Sequence, residues 1–169
     1  TSNITLLYDG DAAGIHAALR GTDMILAEGM NIKVLVLPDG DDPDSFARKH
    51  SSADFKQYIE DNQVDFIQFK TNLMLNGVTD PAKRSEAINS IVQSIAVVPN
   101  QILRDTYIHD CAQRLNIAES TLINTMNKFI REAQDRMNKT PNAEAQQANS
   151  ASATTQKYIN NPSIPKVET

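Results

Sequence analysis

Two apolar runs, residues 4–8 and 32–37, each end abruptly in an Asp-Gly-Asp turn, and this pairing constrains the chain more than any other feature. The first run leads into Asp9-Gly10-Asp11, the second into Pro38-Asp39-Gly40-Asp41-Asp42-Pro43-Asp44. Between them lies a segment of helical length, residues 12–28. Strand, helix and strand form a βαβ unit, and such a crossover joins parallel strands. Neighbouring parallel strands send both acidic loops off one edge of the sheet, where open α/β sheets place their ligands. Asp9, Asp11, Asp39, Asp41, Asp42 and Asp44 then share one rim. Like charges so placed call for a cation. Hard oxygens without His or Cys suit Mg²⁺, which commonly joins one or two carboxylates to substrate phosphates. Without a cation, repulsion should raise some of these carboxylate pKa values. Turn formation and helix capping account for one such loop. Two of them, at the ends of consecutive strands, favour a metal site.

Gly10 permits a tight turn and Gly14 a close approach at the start of the crossover helix, which Gly29 ends. Gly21 is a weak point inside it. Asp42 or Asp44 caps a short helix over residues 45–49. From residue 51 the pattern becomes helix after helix. Phe55, Tyr58 and Ile59 mark one, and Phe66, Phe69 and Leu73 the next, ended by Gly77. Asp80-Pro81 is an N-cap with proline at the first helical position. Ile88, Ile91, Val92, Ile95 and Val98 follow at helical period up to Pro99. Leu103, Tyr107, Ile108, Cys111, Ala112 and Leu115 form another stripe, and a last helix runs over residues 119–137. These stripes predict a helical bundle packed on itself or on the sheet.

The expected class is therefore α/β followed by all-α, a partial parallel βαβ unit packed with a C-terminal helical bundle. Residues 1–50 form the first part, residues 51–138 the bundle, and residues 139–169 a flexible linker. The linker reading rests on a tract of Ala, Gln, Asn, Ser and Thr without period, in which only Tyr158, Ile159 and Ile164 offer weak docking. Two strands alone are a poor sheet, so the chain is expected to be a piece of a longer protein whose remaining strands lie upstream.

A net charge of −5 argues against a general nucleic-acid-binding surface, although a bound metal inverts the sign locally. One cysteine, Cys111, excludes an internal disulfide and a cysteine-based zinc site, in keeping with a cytoplasmic protein. No run is long enough to span a membrane, and none reads as a signal peptide.

Residues 112–122 have the outline of a helix-turn-helix that would offer Thr121, Asn124, Asn127 and Lys128 to DNA, but an ordinary helical hairpin explains them better. His109, Asp110 and Cys111 are consecutive and point apart on a helix, which disfavours a nucleophilic site. His16 and Arg20, four apart on the crossover helix, could face a phosphate, with a solvated helix face the better reading.

Tyr8-Asp9-Gly10-Asp11-Ala12-Ala13-Gly14, together with Leu37-Pro38-Asp39-Gly40-Asp41-Asp42-Pro43-Asp44-Ser45-Phe46, resembles the DnaG type of bacterial DNA primase. The resemblance covers residues 4–138. It implies the C-terminal half of a Toprim domain followed by the primase helical subdomain. It makes Asp9 and Asp11 the catalytic, metal-holding Asp-x-Asp pair and Asp42 and Asp44 the second metal pair, with Asp39 and Asp41 of lower weight. Ala12 departs from the family, in which a basic residue is common there. The family's catalytic glutamate has no counterpart in the chain, and Glu28, at the far end of the crossover helix, cannot replace it. The zinc-binding domain and the template-holding basic subdomain are also absent.

The resemblance implies synthesis of short RNA primers on single-stranded DNA by nucleotidyl transfer with Mg²⁺ or Mn²⁺, zinc belonging only to the upstream part. The implied partners are the template, ribonucleoside triphosphates and, through a region downstream of the linker, the replicative helicase. No membrane partner is implied, and the setting is the bacterial cytoplasm at the nucleoid. Two other classes share parts of the pattern. One is a Toprim nuclease or topoisomerase, for which Tyr8 is ill placed as a nucleophile. The other is a non-catalytic interaction module.

Overall fold

In a computed structural model, residues 2–9, 12–38 and 40–159 are described, with side chains for 2–9, 15, 19, 21–38 and 40–139. The elements are β1 (Asn3–Tyr8), α1 (Ala12–Ala27), β2 (Asn31–Val36), α2 (Pro43–Lys49), α3 (Ser52–Asn62), β3 (Val64–Asp65), α4 (Phe66–Leu75), α5 (Pro81–Ala96), α6 (Gln101–Leu115) and α7 (Glu119–Ile159). An α/β unit is thus followed by helices, as the hydrophobic pattern predicts. Strands β1 and β2 pair in parallel from Asn3 opposite Asn31 to Tyr8 opposite Val36. The sequence does not announce β3, whose two residues carry no period. It pairs antiparallel with β2 through Lys33–Asp65 and Val34–Val64, making the sheet mixed and three-stranded in the order β1-β2-β3.

The starts of α2, α3, α4, α5 and α6 each have a polar side chain to receive otherwise unpaired N–H groups. Asp80 Oδ1 accepts from the Ala82 and Lys83 amides ahead of α5, with Pro81 at its first position. Asn100 caps α6, and Asp65 caps α4. Gly29 ends the α1 turn at φ 79°, a left-handed geometry that would strain other residues. At the open, exposed helical position Gly21 a methyl group meets nothing within 4 Å. Gly21→Ala should therefore stabilise the fold by about 0.5–1 kcal/mol, read as a higher urea midpoint at unchanged slope.

The apolar faces of β2, α4, α5 and α6 converge on one core. Ile32, Val34, Phe66, Ile67, Ile91, Val92, Ile95 and Ile108 are nearly inaccessible to solvent. Leu122 and Met126 of α7 are buried as well. Two polar links tie the elements together. Tyr107 Oη donates to Asp65 Oδ2 at 2.6 Å, joining α6 to the start of α4. Lys70 Nζ donates to Ser94 Oγ at 2.6 Å, and Ser94 Oγ donates to Asp23 Oδ1 at 2.6 Å, joining α4, α5 and α1.

Residues 1–129 form one compact unit and residues 130–169 a second. The second unit contains most of α7, which continues to Ile159, beyond the helix end expected near residue 137. Ala and Gln, which are strong helix formers, recur in that stretch. The expected linker also takes in residues 160–169, with Ile164, which lie outside the described residues. The side chains of Tyr158 and Ile159 lie outside them too.

Candidate metal centre

The parallel register settles where the two acidic loops leave the sheet. The Leu37 amide donates to the Tyr8 carbonyl at 3.0 Å, extending the ladder to the last residue before Asp9. Asp9 and the loop that opens at Pro38 therefore emerge from the same edge, at the carboxyl ends of β1 and β2. Asp9 is exposed. Asp11 and Asp39, and the side chains of His16 and Arg20, lie outside the described residues.

The second loop is anchored from below. Phe46 is buried with Leu35 and Leu37, and Leu7, Phe55, Tyr58 and Ile59 pack on that cluster. Its ring stacks on His50 at a centroid distance of 4.1 Å, and His50 Nδ1 lies 2.9 Å from the Phe46 carbonyl oxygen. An aromatic side chain with this many neighbours fixes α2 against the sheet, and so fixes the aspartates at its start.

Those aspartates have local partners. Asp42 is the N-cap of α2: its Oδ1 accepts the Ser45 amide at 2.7 Å, while the Asp42 amide donates to Ser45 Oγ at 3.0 Å. This is a capping box with serine in the returning position. Asp41 Oδ1 accepts from Lys49 Nζ and from Ser45 Oγ. Asp44 pairs with Arg48 at 2.6 Å, both side chains largely in solvent. The expected rise in carboxylate pKa is reversed at Asp41 and Asp42. The Lys49 ammonium holds Asp41 below the usual carboxylate range, and the Ser45 amide does the same for Asp42. Nearby donors outweigh the desolvation that would raise these pKa values. Both groups thus favour the folded loop at neutral pH, and that contribution is lost as pH falls through their lowered pKa values.

Asp42, with one carboxylate oxygen engaged by the Ser45 amide, keeps a second for a cation. The Asp44–Arg48 pair is solvated and so of little energetic worth, which makes it easy to exchange for a metal ion. The donor set is oxygen only. Among the described residues, no three His, Cys, Asp or Glu side chains converge as a ready metal cluster. The sequence reading missed Ser45 and Lys49 as partners of the loop. The Asp44–Arg48 pair had a visible signal in its i, i+4 spacing.

The other candidates resolve into structural roles. His109 Nδ1 lies 3.0 Å from Glu119 Oε2, and Asp110 accepts from Arg114 Nε at 2.8 Å. Cys111 is buried, and burial pushes its thiol up to about 11. Iodoacetamide at pH 8 should consequently leave Cys111 unmodified in the native protein and label it in urea, as intact mass would show. Tyr8 stands within β1, and burial raises its pKa, which does not suit a nucleophile. The turn after α6 is the left-handed Asn116, whose amide donates to the Ala112 and Gln113 carbonyls. The α7 residues Leu122 and Met126 face inward, as a helical hairpin requires.

A Toprim-like family matches residues 1–47, the span of both acidic loops. A second family, the DnaB-helicase binding domain of primase, matches residues 76–120. The DNA primase of Clostridium acetobutylicum is 31% identical over 147 residues, 83% of this chain and 24% of that protein. The E. coli primase catalytic core superposes with a TM-score of 0.61 at 28% identity, covering 70% of this chain and 39% of that one. The chain belongs to the bacterial DnaG-type primases.

A DnaG primase catalytic domain bound to single-stranded DNA is also similar, with a TM-score of 0.58, 27% identity, and coverage of 67% of this chain and 38% of that one. This primase segment spans between a fifth and a quarter of the length of the curated relatives it matches. The helicase-binding family falls on α5 and α6, upstream of residues 139–169, whereas the sequence reading placed helicase contact downstream of them. An amphipathic hairpin looks the same in sequence whether or not its outer face has a partner. No helix among the described residues is long and apolar enough to cross a membrane.

Proposed function

We propose that this chain supplies the second half of a primase active centre, and that the complete protein makes short RNA primers on a single-stranded DNA template from ribonucleoside triphosphates. The observation that carries this reading is the parallel β1–β2 register, which sets Asp9 and the Asp41–Asp44 loop at one sheet edge in a chain related to primases. Asp9, Asp11, Asp42 and Asp44 would hold Mg²⁺ or Mn²⁺, with Asp9 and Asp11 the catalytic pair. When bound, the metal would supply Lewis-acid stabilisation of phosphate charge. The chain's own contribution is positional: Phe46 seats the loop, Ser45 orients Asp42, and Lys49 holds Asp41.

The proposed division is residues 1–50 as Toprim half, 51–138 as helical subdomain and 139–169 as linker. The replicative helicase would dock on the surface formed by residues 76–120, in line with the family matched there. Residues 1–169 alone should make no primer, because the family's catalytic glutamate and template-holding surface are not among them. Incubation with template and labelled ribonucleotides checks this. Products of primer length from the segment would place those functions within it, and template cleavage would favour a Toprim nuclease instead.

A further inference from the structure

Among the described aspartates of the second loop, Asp41 is the most covered. Its side chain is 12% exposed, against 72% for that of Asp44, and Asp42 is exposed as well. The Asp41 carboxylate is turned onto α2, where Oδ1 accepts from the Ser45 hydroxyl at 3.2 Å and from the Lys49 ammonium. Ser45 lies in the first turn of α2 and Lys49 is its last residue, so one oxygen ties both ends of the helix to the loop before it. The pair adds little to stability. The Lys49 side chain is 60% exposed, and ion pairs so placed contribute little. Burial of Phe46 already seats α2 on the sheet. What the pair does control is where the Asp41 carboxylate points.

That direction matters at a site for Mg²⁺ or Mn²⁺. Mg²⁺ is usually held through one or two carboxylates, with water and substrate phosphates completing its octahedron. The rim offers Asp9, Asp42 and Asp44 without Asp41. Asp41 adjoins Asp42 in the chain, and a further carboxylate turned to the rim would take a position that a phosphate needs. It would also bind the ion more tightly, because affinity rises with the charge of the ligand set. The Lys49 bond opposes that turn. It is charged on both sides, and such bonds are roughly twice as strong as neutral ones. The Ser45 hydroxyl, a neutral donor, is the weaker hold.

We infer that Lys49 is a positioning residue that keeps Asp41 out of the metal's ligand set, and so fixes how many carboxylates the second loop offers. This rests on the metal-centre reading of the proposed function. Ser45 links the two aspartates, since the hydroxyl that donates to Asp41 also accepts the Asp42 amide at 3.0 Å. Holding Asp41 inward therefore also steadies the backbone from which Asp42 reaches the rim.

The experiment uses the full-length primase with Lys49→Met, the double variant Lys49→Met/Asp41→Asn, and Asp42→Asn as the reference, with thermal melts confirming the fold. Mn²⁺ is the probe. Its affinity is read from the electron paramagnetic resonance of the free ion, and the waters on the bound ion from line broadening in oxygen-isotope-enriched water. Lys49→Met should bind Mn²⁺ about threefold more tightly, with about one fewer bound water, and should make primer about tenfold more slowly at saturating metal. The double variant has the wild-type net charge. It should return to the wild-type water count and recover most of the primer synthesis. Tighter binding in Lys49→Met with an unchanged water count would show that the ammonium acts by charge repulsion alone, and would overturn the assignment. Weaker binding that Asp41→Asn does not correct would make Lys49 a brace of α2 and overturn it as well. Wild-type Mn²⁺ affinity in Asp42→Asn would instead remove the metal centre itself, and the inference with it.

Discussion

Asp9→Asn and Asp42→Asn, each introduced into a full-length primase, should cut primer synthesis on the order of a hundredfold or more, since removal of one charged metal ligand costs several kcal/mol at the transition state. The same substitutions should barely move the melting temperature without metal. Asp9 is exposed, and asparagine caps a helix about as well as aspartate, so the Ser45 amide keeps an acceptor at position 42. Asp42→Ala is the informative contrast. It removes the cap, should cost about 1 kcal/mol of stability, and should be as inactive as the asparagine variant. Melts with and without Mg²⁺ separate the two roles of Asp42. Wild type should gain stability with added metal, by the linkage between binding and folding, and the asparagine variants should gain less. Near-normal primer synthesis in Asp42→Asn would reduce the second loop to a turn and a cap, and the metal assignment would fall for that residue.

The same residue shows how far the sequence could be read. The βαβ unit was legible because its two strands are apolar runs, interrupted only by Thr5 and Lys33, each stopped by a turn that cannot continue a strand. The bundle was legible because Ile88, Ile91, Val92 and Ile95 repeat at helical period, and the last three are buried. The β3 strand was not, because two residues have no periodicity and Val64–Asp65 pair with β2 only through the tertiary fold. At the candidate site, the shared sheet edge followed from topology, but the charge state of the loop did not. A count of aspartates suggests mutual repulsion, whereas Asp41 and Asp42 are stabilised as anions by Lys49 and the Ser45 amide. Lys49 comes eight residues after Asp41, and only the fold of α2 back over its own loop brings them together.

The buried Lys70–Ser94–Asp23 relay carries the second large effect. Lys70 is almost wholly inaccessible to solvent and Ser94 fully so, and the ammonium is served by the Ser90 carbonyl and the Ser94 hydroxyl. Burial holds the Lys70 pKa below its ordinary value, and the Asp23 charge opposes that fall. Asp23→Ala leaves the ammonium buried without its counter-charge and should destabilise the fold on the order of 3 kcal/mol at pH 7. Lys70→Met should cost less, since it removes the charge along with its need for a partner and leaves Ser94 bonded to Asp23. The pH dependence follows from the direction of the shift. A lysine whose folded pKa is lowered binds fewer protons folded than unfolded, so stability rises with pH between the folded value and the ordinary value near 10.4. Without Asp23 the folded value drops further and that window widens. The deficit of Asp23→Ala against wild type should therefore shrink as pH rises from about 7 to about 9.5 in urea melts, while that of Lys70→Met should not shrink and should widen wherever wild type gains from the lowered lysine pKa. A deficit for Asp23→Ala that does not change with pH would mean that the ammonium finds another counter-charge, and that the relay contributes packing alone.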